Sequence, residues 1–104
     1  MDVKVSGRHL EITDAIREYA EKRVAKLPKY YDRVQTVNVV AEKKDRTHLL
    51  EIIIQAERTE PFIGSASGED LYACIDEAVA KLERQLAEHK ARVRKRKGRT
   101  RMSG

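Results

Sequence analysis

The chain opens on an alternation, with Val3 and Val5 on one side of Asp2 to Ser6, which predicts a short strand ending at Gly7. A loop of Arg8, His9, Leu10, Glu11 and Ile12 follows, and the period then changes. Ile16, Ala20, Val24 and Leu27 recur at spacings of four and three, the buried stripe of a helix. Thr13 is placed to accept from a free amide at its start, and Asp14 complements the helix dipole. Pro28 ends the pattern because it offers no amide donor.

Alternation returns in Thr36 to Glu42, with Val37, Val39 and Ala41 opposite Asn38, Val40 and Glu42. After a polar turn from Lys43 to Arg46, a second run from His48 to Ala56 puts Leu50, Ile52, Ile54 and Ala56 on one face. A third, Pro61 to Ser67, points Phe62, Gly64 and Ala66 inward; its proline suits an edge or a strand start. Gly68, Glu69 and Asp70 introduce a long helix with the stripe Leu71, Ile75, Ala78, Leu82 and Leu86, expected to run to about Arg92 with acidic residues in its first turn.

The order β-α-β-β-β-α, with one apolar face per element, predicts an α+β fold: a two-layer sandwich of a four-stranded mixed sheet with two helices on one face. The first helix joins neighbouring parallel strands by a right-handed crossover, and the other strands form an antiparallel meander. No internal repeat is present. A chain of 104 residues supports one domain and has no surplus surface for a deep substrate cavity. The expected division is a folded domain over 1–93 and a basic, disordered tail over 94–104, where apolar residues nearly vanish.

Charge sharpens that division. The net charge is +5, yet eight basic and no acidic residues lie between Lys90 and Arg101, which leaves 14 basic against 17 acidic elsewhere and a body at −3. A polyanion-binding surface on the body therefore requires charges segregated onto one face. No apolar run is long enough to cross a bilayer, and the basic arm has no apolar companions to enter an interface. The expectation is a cytoplasmic protein, monomeric when free, with no membrane partner and no small-molecule substrate.

Helical phase supplies the candidates. At about 100° per residue, Tyr19, Lys22, Arg23 and Lys26 gather on one flank of the first helix. On the second, Lys81, Arg84, Gln85 and Arg92 share a flank with Glu77 and Glu88, and Tyr72, Asp76, Glu83 and Lys90 occupy the other. Basic residues one turn apart can each meet a phosphate, and arginine can do so with two bonds. The expectation is that the two basic edges combine into one surface for structured RNA. The plainer alternative is a solvated helix face, paired weakly with Glu18, Glu21 and Glu77.

Catalytic chemistry has little to work with. His9, His48 and His89 lie in separate elements without metal-ligand spacing, and Cys74 sits beside an apolar stripe as a packed thiol. Gly64 to Gly68 lacks the Lys-Ser or Lys-Thr of a phosphate loop, so Gly64 is read as a close-packing position. Asp70 and Asp76, six apart on a helix, point in different directions. The protein is expected not to be an enzyme, with no cofactor and no metal.

The segment EITDAIREYAEKRVAKLPKYYDR (Glu11 to Arg33), the stretch DLYACID (Asp70 to Asp76) and KLERQLAEHKAR (Lys81 to Arg92) resemble the ribosome hibernation promoting factor and ribosome-associated inhibitor (Protein Y) family, across roughly residues 3 to 92. The resemblance implies binding to small-subunit rRNA in the channel for messenger and transfer RNA. Occupying that channel blocks initiation and preserves idle ribosomes in stationary phase. Carried over by position, the implied contacts are Lys22, Arg23, Lys26, Lys29, Lys81, Arg84, Gln85, Lys90 and Arg92. Arg8 and His9 in a neighbouring loop, and Arg94, Lys95, Arg96 and Lys97 in the arm, form a second group. Asp70, Tyr72 and Asp76 match a family signature. Long members carry a dimerising C-terminal domain and the inhibitor subtype an acidic tail; the basic tail here fits the short promoting form and leaves open whether ribosomes are paired. Two other readings stand beside this one. One is a general double-stranded RNA binder. The other is a protein-binding modulator of transcription that works through the outer sheet face, where Val40, Leu49, Ile53 and Ile63 gather.

Overall fold

The computed structural model describes residues 1–103, with side chains through Lys95. Its elements are β1 (Asp2–Arg8), α1 (Asp14–Val24), a 3-10 turn (Leu27–Lys29), β2 (Val34–Lys44), β3 (Thr47–Ala56), β4 (Phe62–Gly68) and α2 (Leu71–Ser103). The strands form one sheet in sequence order, β1 parallel to β2 and the other neighbours antiparallel. This is the expected two-layer α+β sandwich.

Thr13 caps α1, its hydroxyl accepting from Ile16 N at 3.2 Å. Asp70 acts likewise for α2, accepting at Oδ1 from the amides of Tyr72 and Ala73, so it precedes the helix and no acidic residue occupies the first turn. Asp45 and Arg46 close the two-residue β2–β3 turn, with Asp45 in the left-handed region that its short polar side chain tolerates.

Among the boundaries that differ from the sequence reading, three have a local reason. β2 begins at Val34, because a register shift around Gln35 lets Val34 and Val37 both face the core although they lie three residues apart. Strict alternation cannot reveal that. α1 stops at Val24 instead of Leu27, and Pro28 sits inside the separate 3-10 turn, where a missing amide costs nothing and Leu27 stays fully buried. α2 runs past the expected end near Arg92, since strong helix formers continue with no proline and no glycine before Gly98. The expected boundary at 93/94 therefore falls inside α2. Arg96, Lys97 and the rest of the expected tail beyond Lys95 lie outside the described side chains.

The core is the set of stripes laid against one sheet face. Ala20, Val24 and Leu27 share one buried cluster with Val37, Val39, Ile52 and Ile54, and Ile75, Ala78, Val79, Leu82 and Leu86 complete it from α2. Each large aliphatic side chain here contributes about 1.5–3 kcal/mol by leaving water. α2 lies closest to the sheet at β4. A Cβ built on Gly64 would stand 2.8 Å from both Ala78 O and Leu82 Cγ, nearer than real contacts allow. Gly64→Ala is expected to cost about 1–3 kcal/mol by forcing strand and helix apart. Urea denaturation checks this, and wild-type stability would show that the contact relaxes freely.

Candidate nucleic-acid interface

α1 and α2 lie side by side and run in the same direction. Tyr19 meets Tyr72 edge-on near the start of α2, ring centroids 5.0 Å apart, and Tyr31, beyond α1, meets His89 at 4.9 Å three to five turns further along. At the first contact Asp76 joins the helices. Its Oδ1 accepts the Tyr19 hydroxyl at 2.5 Å and stands 3.0 Å from Arg23 Nε. Nε makes no hydrogen bond, so the second contact is coulombic. The phenol of Tyr19 is held above its ordinary value, first by the bond to Asp76 and then by burial, so it remains a donor at neutral pH.

These contacts fix which flank of each helix faces the other, and the result departs from the expected groove. The α1 flank bearing Tyr19 and Arg23 faces α2. The α2 flank that answers it carries Tyr72, Asp76, Glu83 and Lys90. Lys81 and Gln85 lie on the opposite side, over the free edge of β4, where Lys81 Nζ donates to Ser65 O at 2.7 Å and Gln85 Nε2 to Ile63 O at 3.0 Å. The two basic flanks read from the sequence do not meet across a groove, because packing on Gly64 turns one of them toward the sheet edge. On the far edge Arg17 Nη1 donates to Val5 O of β1 at 3.2 Å. Helix side chains thus cover outward carbonyls at both edges, which blunts the tendency of an open sheet to pair with another chain.

Cations outside these contacts remain. Lys22, Lys26 and Lys29 are exposed on α1 and just after it, and half-buried Lys90 with exposed Arg94 lies further along α2, beside Tyr31. Lys90, Arg94 and Val93 line a cleft of about 210 Å³ with Tyr31, Asp32 and Arg33. Arg84 and Arg92 are also exposed. Among the described residues the ion pairs are Arg23–Asp76, Arg33–Glu57 and Lys81–Glu77. None engages Lys22, Lys26, Lys29, Arg84, Lys90, Arg92 or Arg94, so a mutually neutralised helix face describes Lys81 but not these cations. Arg8, expected in a loop, is the exposed last residue of β1 and pairs with Glu42 of β2 in the sheet; His9 is exposed just after it with a φ of 55°, and Lys95 is exposed on α2.

The other candidates have structural surroundings. Cys74 is buried among apolar residues, which pushes its thiol above the ordinary range and leaves it protonated. His48 Nδ1 lies 2.9 Å from Glu69 O, and His89 is packed edge-on between Tyr31 and Phe62. Among the described residues no group of three His, Cys, Asp or Glu side chains could hold a metal ion. No helix of the described residues is long and apolar enough to cross a membrane. On the outer sheet face Ile63 is 52 % and Leu49 41 % exposed, and Leu49 borders an open depression of about 610 Å³ with Val40, Ile53, Glu42 and Glu51.

A family model described as Sigma 54 modulation protein / S30EA ribosomal protein matches residues 3–94. The chain belongs to this family. Among its relatives is the ribosome hibernation promoting factor of Escherichia coli (strain K12), 37 % identical over 94 residues, a match covering 90 % of this chain and 98 % of that protein. The crystal structure of the Thermus thermophilus Protein Y N-terminal domain is similar with a TM-score of 0.77 and 37 % identity, covering 86 % of this chain and 99 % of that one. A ribosomal subunit interface protein from Coxiella burnetii shares the fold at a TM-score of 0.81 and 22 % identity, covering 88 % and 99 %. In this family member Asp70 is a helix cap, and Tyr72 and Asp76 are two parts of the clasp between helices.

Sequence phase found Lys22, Arg23 and Lys26 but missed the roles of Tyr19 and Arg17, since a hydroxyl aimed at another helix and a guanidinium on a strand edge leave no periodic trace. Gln85→Ala is expected to destabilise the fold by about 0.5–1.5 kcal/mol through loss of its bond to Ile63 O. Urea denaturation measures it, and an unchanged midpoint would mean that water replaces the amide without loss.

Proposed function

We propose that this protein is a ribosome hibernation factor. Its helix layer binds rRNA of the small subunit in the channel for messenger and transfer RNA, and its folded body there excludes both, keeping the ribosome idle. The observation that carries the reading is the set of cations without ion pairs on α1, the turn after it and the adjoining flank of α2, in a chain whose relatives are named for ribosome hibernation. Unpaired lysines and arginines on a rigid layer can release counterions from phosphates without first breaking internal pairs. The reading involves no bond making and no cofactor.

Within it, Lys22, Lys26, Lys29, Lys90 and Arg94 form the principal phosphate-facing set, with Arg84 and Arg92 as further exposed cations of α2 and Arg8 and His9 at the margin. Lys81 and Gln85 contribute by holding β4 to α2. The basic residues from Arg94 to Arg101 add a further electrostatic anchor. A second reading draws on the exposure of Leu49 and Ile63: a partner protein docks on the outer sheet face, in keeping with the transcription-modulating half of the family's description.

Sucrose-gradient sedimentation with purified ribosomes tests the proposal and also reads whether ribosomes are paired. The protein is expected to travel with small subunits in the presence of excess plain RNA duplex; displacement by the duplex would favour a general double-stranded RNA binder. Replacing Lys22, Lys26 and Arg84 by Gln is expected to weaken binding and lower the slope of log affinity against log salt by about 1 per lost phosphate contact. Unchanged affinity would move the working surface to the outer sheet. Truncation after Val93 is expected to flatten the slope further, by roughly 0.7–0.9 for each phosphate the arm neutralises, whereas an identical slope would remove the arm from the interface.

A further inference from the structure

A carboxylate is an odd neighbour for a phosphate-binding surface, yet Asp76 stands beside Arg23 with its side chain 47 % exposed. Its charge is already engaged. Oδ1 accepts the Tyr19 hydroxyl and faces Arg23 Nε, and the tyrosine ring is itself held edge-on by Tyr72. Within the Arg23 guanidinium, Nε is the nitrogen shut off from water, while the side chain as a whole stays 29 % exposed. The two terminal nitrogens are not among the buried atoms that lack a partner.

We propose that Asp76 and Tyr19 are positioning residues for Arg23: they hold its guanidinium by the Nε side and leave the terminal nitrogens to grip a backbone phosphate of the bound RNA. The inference rests on the rRNA-binding reading above. The contact at Nε is coulombic, so the planar group is held in place by charge while its terminal fork keeps its donors for a phosphate, a geometry that a lysine ammonium does not offer. Holding the group before RNA arrives reduces the rotamer freedom lost on binding. The same carboxylate also cancels much of the arginine's long-range charge, so the contribution of Arg23 is directional and short-range, unlike that of Lys22 and Lys26.

A double-mutant cycle on binding to purified small ribosomal subunits separates the possibilities. Asp76→Asn is expected to weaken binding by roughly three- to tenfold where Arg23 is present and by less than about twofold in an Arg23→Ala background. Tyr19→Phe is expected to shift affinity in the same direction by less. Tighter binding by Asp76→Asn would mean that the carboxylate merely repels RNA. Equal weakening in both backgrounds, with a lowered thermal midpoint, would make the clasp a support for the helices alone; either result overturns the proposal. Should Asp76→Asn fail to fold, Arg23→Lys decides. It keeps the charge but not the planar fork, and it is expected to bind nearly as weakly as Arg23→Ala, so wild-type affinity would refute positioning. If Lys22→Glu together with Lys26→Glu leaves affinity untouched, the rRNA reading itself has failed. If those reversals abolish binding while the cycle shows no coupling, only the role of Asp76 and Tyr19 falls.

Discussion

Where β4 carries Gly64, strand and helix approach so closely that Ala78 O and Leu82 Cγ occupy the space a side chain would need. That contact sets both the height of α2 above the sheet and its rotation about its own axis. With Ala78 and Leu82 turned down onto Gly64, Lys81 and Gln85 must fall over the β4 edge, and Tyr72 and Asp76 must face α1. The edge capping, the interhelical clasp and the position of Lys90 all follow from one close approach.

Two needs compete for the polar side chains of this small domain. An open sheet exposes backbone groups at both edges, and the nearest long side chains, Arg17, Lys81 and Gln85, are drawn to its outward carbonyls. A polyanion-binding face needs cations that are not already engaged. The structure divides the labour: residues that reach an edge stabilise the fold, and those beyond its reach, Lys22, Lys26, Lys29 and Lys90, are left without ion pairs. Surface pairs are individually weak, so this assignment rests on geometry and not on strong bonds.

Family membership and the physical reading support each other without resting on the same observation. The family match spans residues 3–94, and within it Asp70, Tyr72 and Asp76 are structural joints. Asp70 starts α2, and Tyr72 and Asp76 fasten it to α1. Such joints let two helices present a rigid face, which gives these residues a mechanical role independent of any name.

Much of the architecture was legible in the chain itself. Period-two and period-3.6 patterns respond to burial on one face, so the strands, both helices, their order and nearly every core residue could be read locally, as could the Thr13 cap, the packed Cys74 and the close approach at Gly64. Boundaries were misread where a local irregularity intervened: the bulge at Gln35, the 3-10 turn around Pro28, and a helix with nothing in its sequence to end it near Arg92. The candidate site was legible only as a list of cations. Helical phase states which residues share a flank, but not what that flank faces. Whether Lys81 meets RNA or a strand edge, and whether Arg23 is loose or held by Asp76, depends on elements far apart in the chain, and tertiary packing alone decides it, because the rotation of α2 is set by a contact with β4 that no periodicity records.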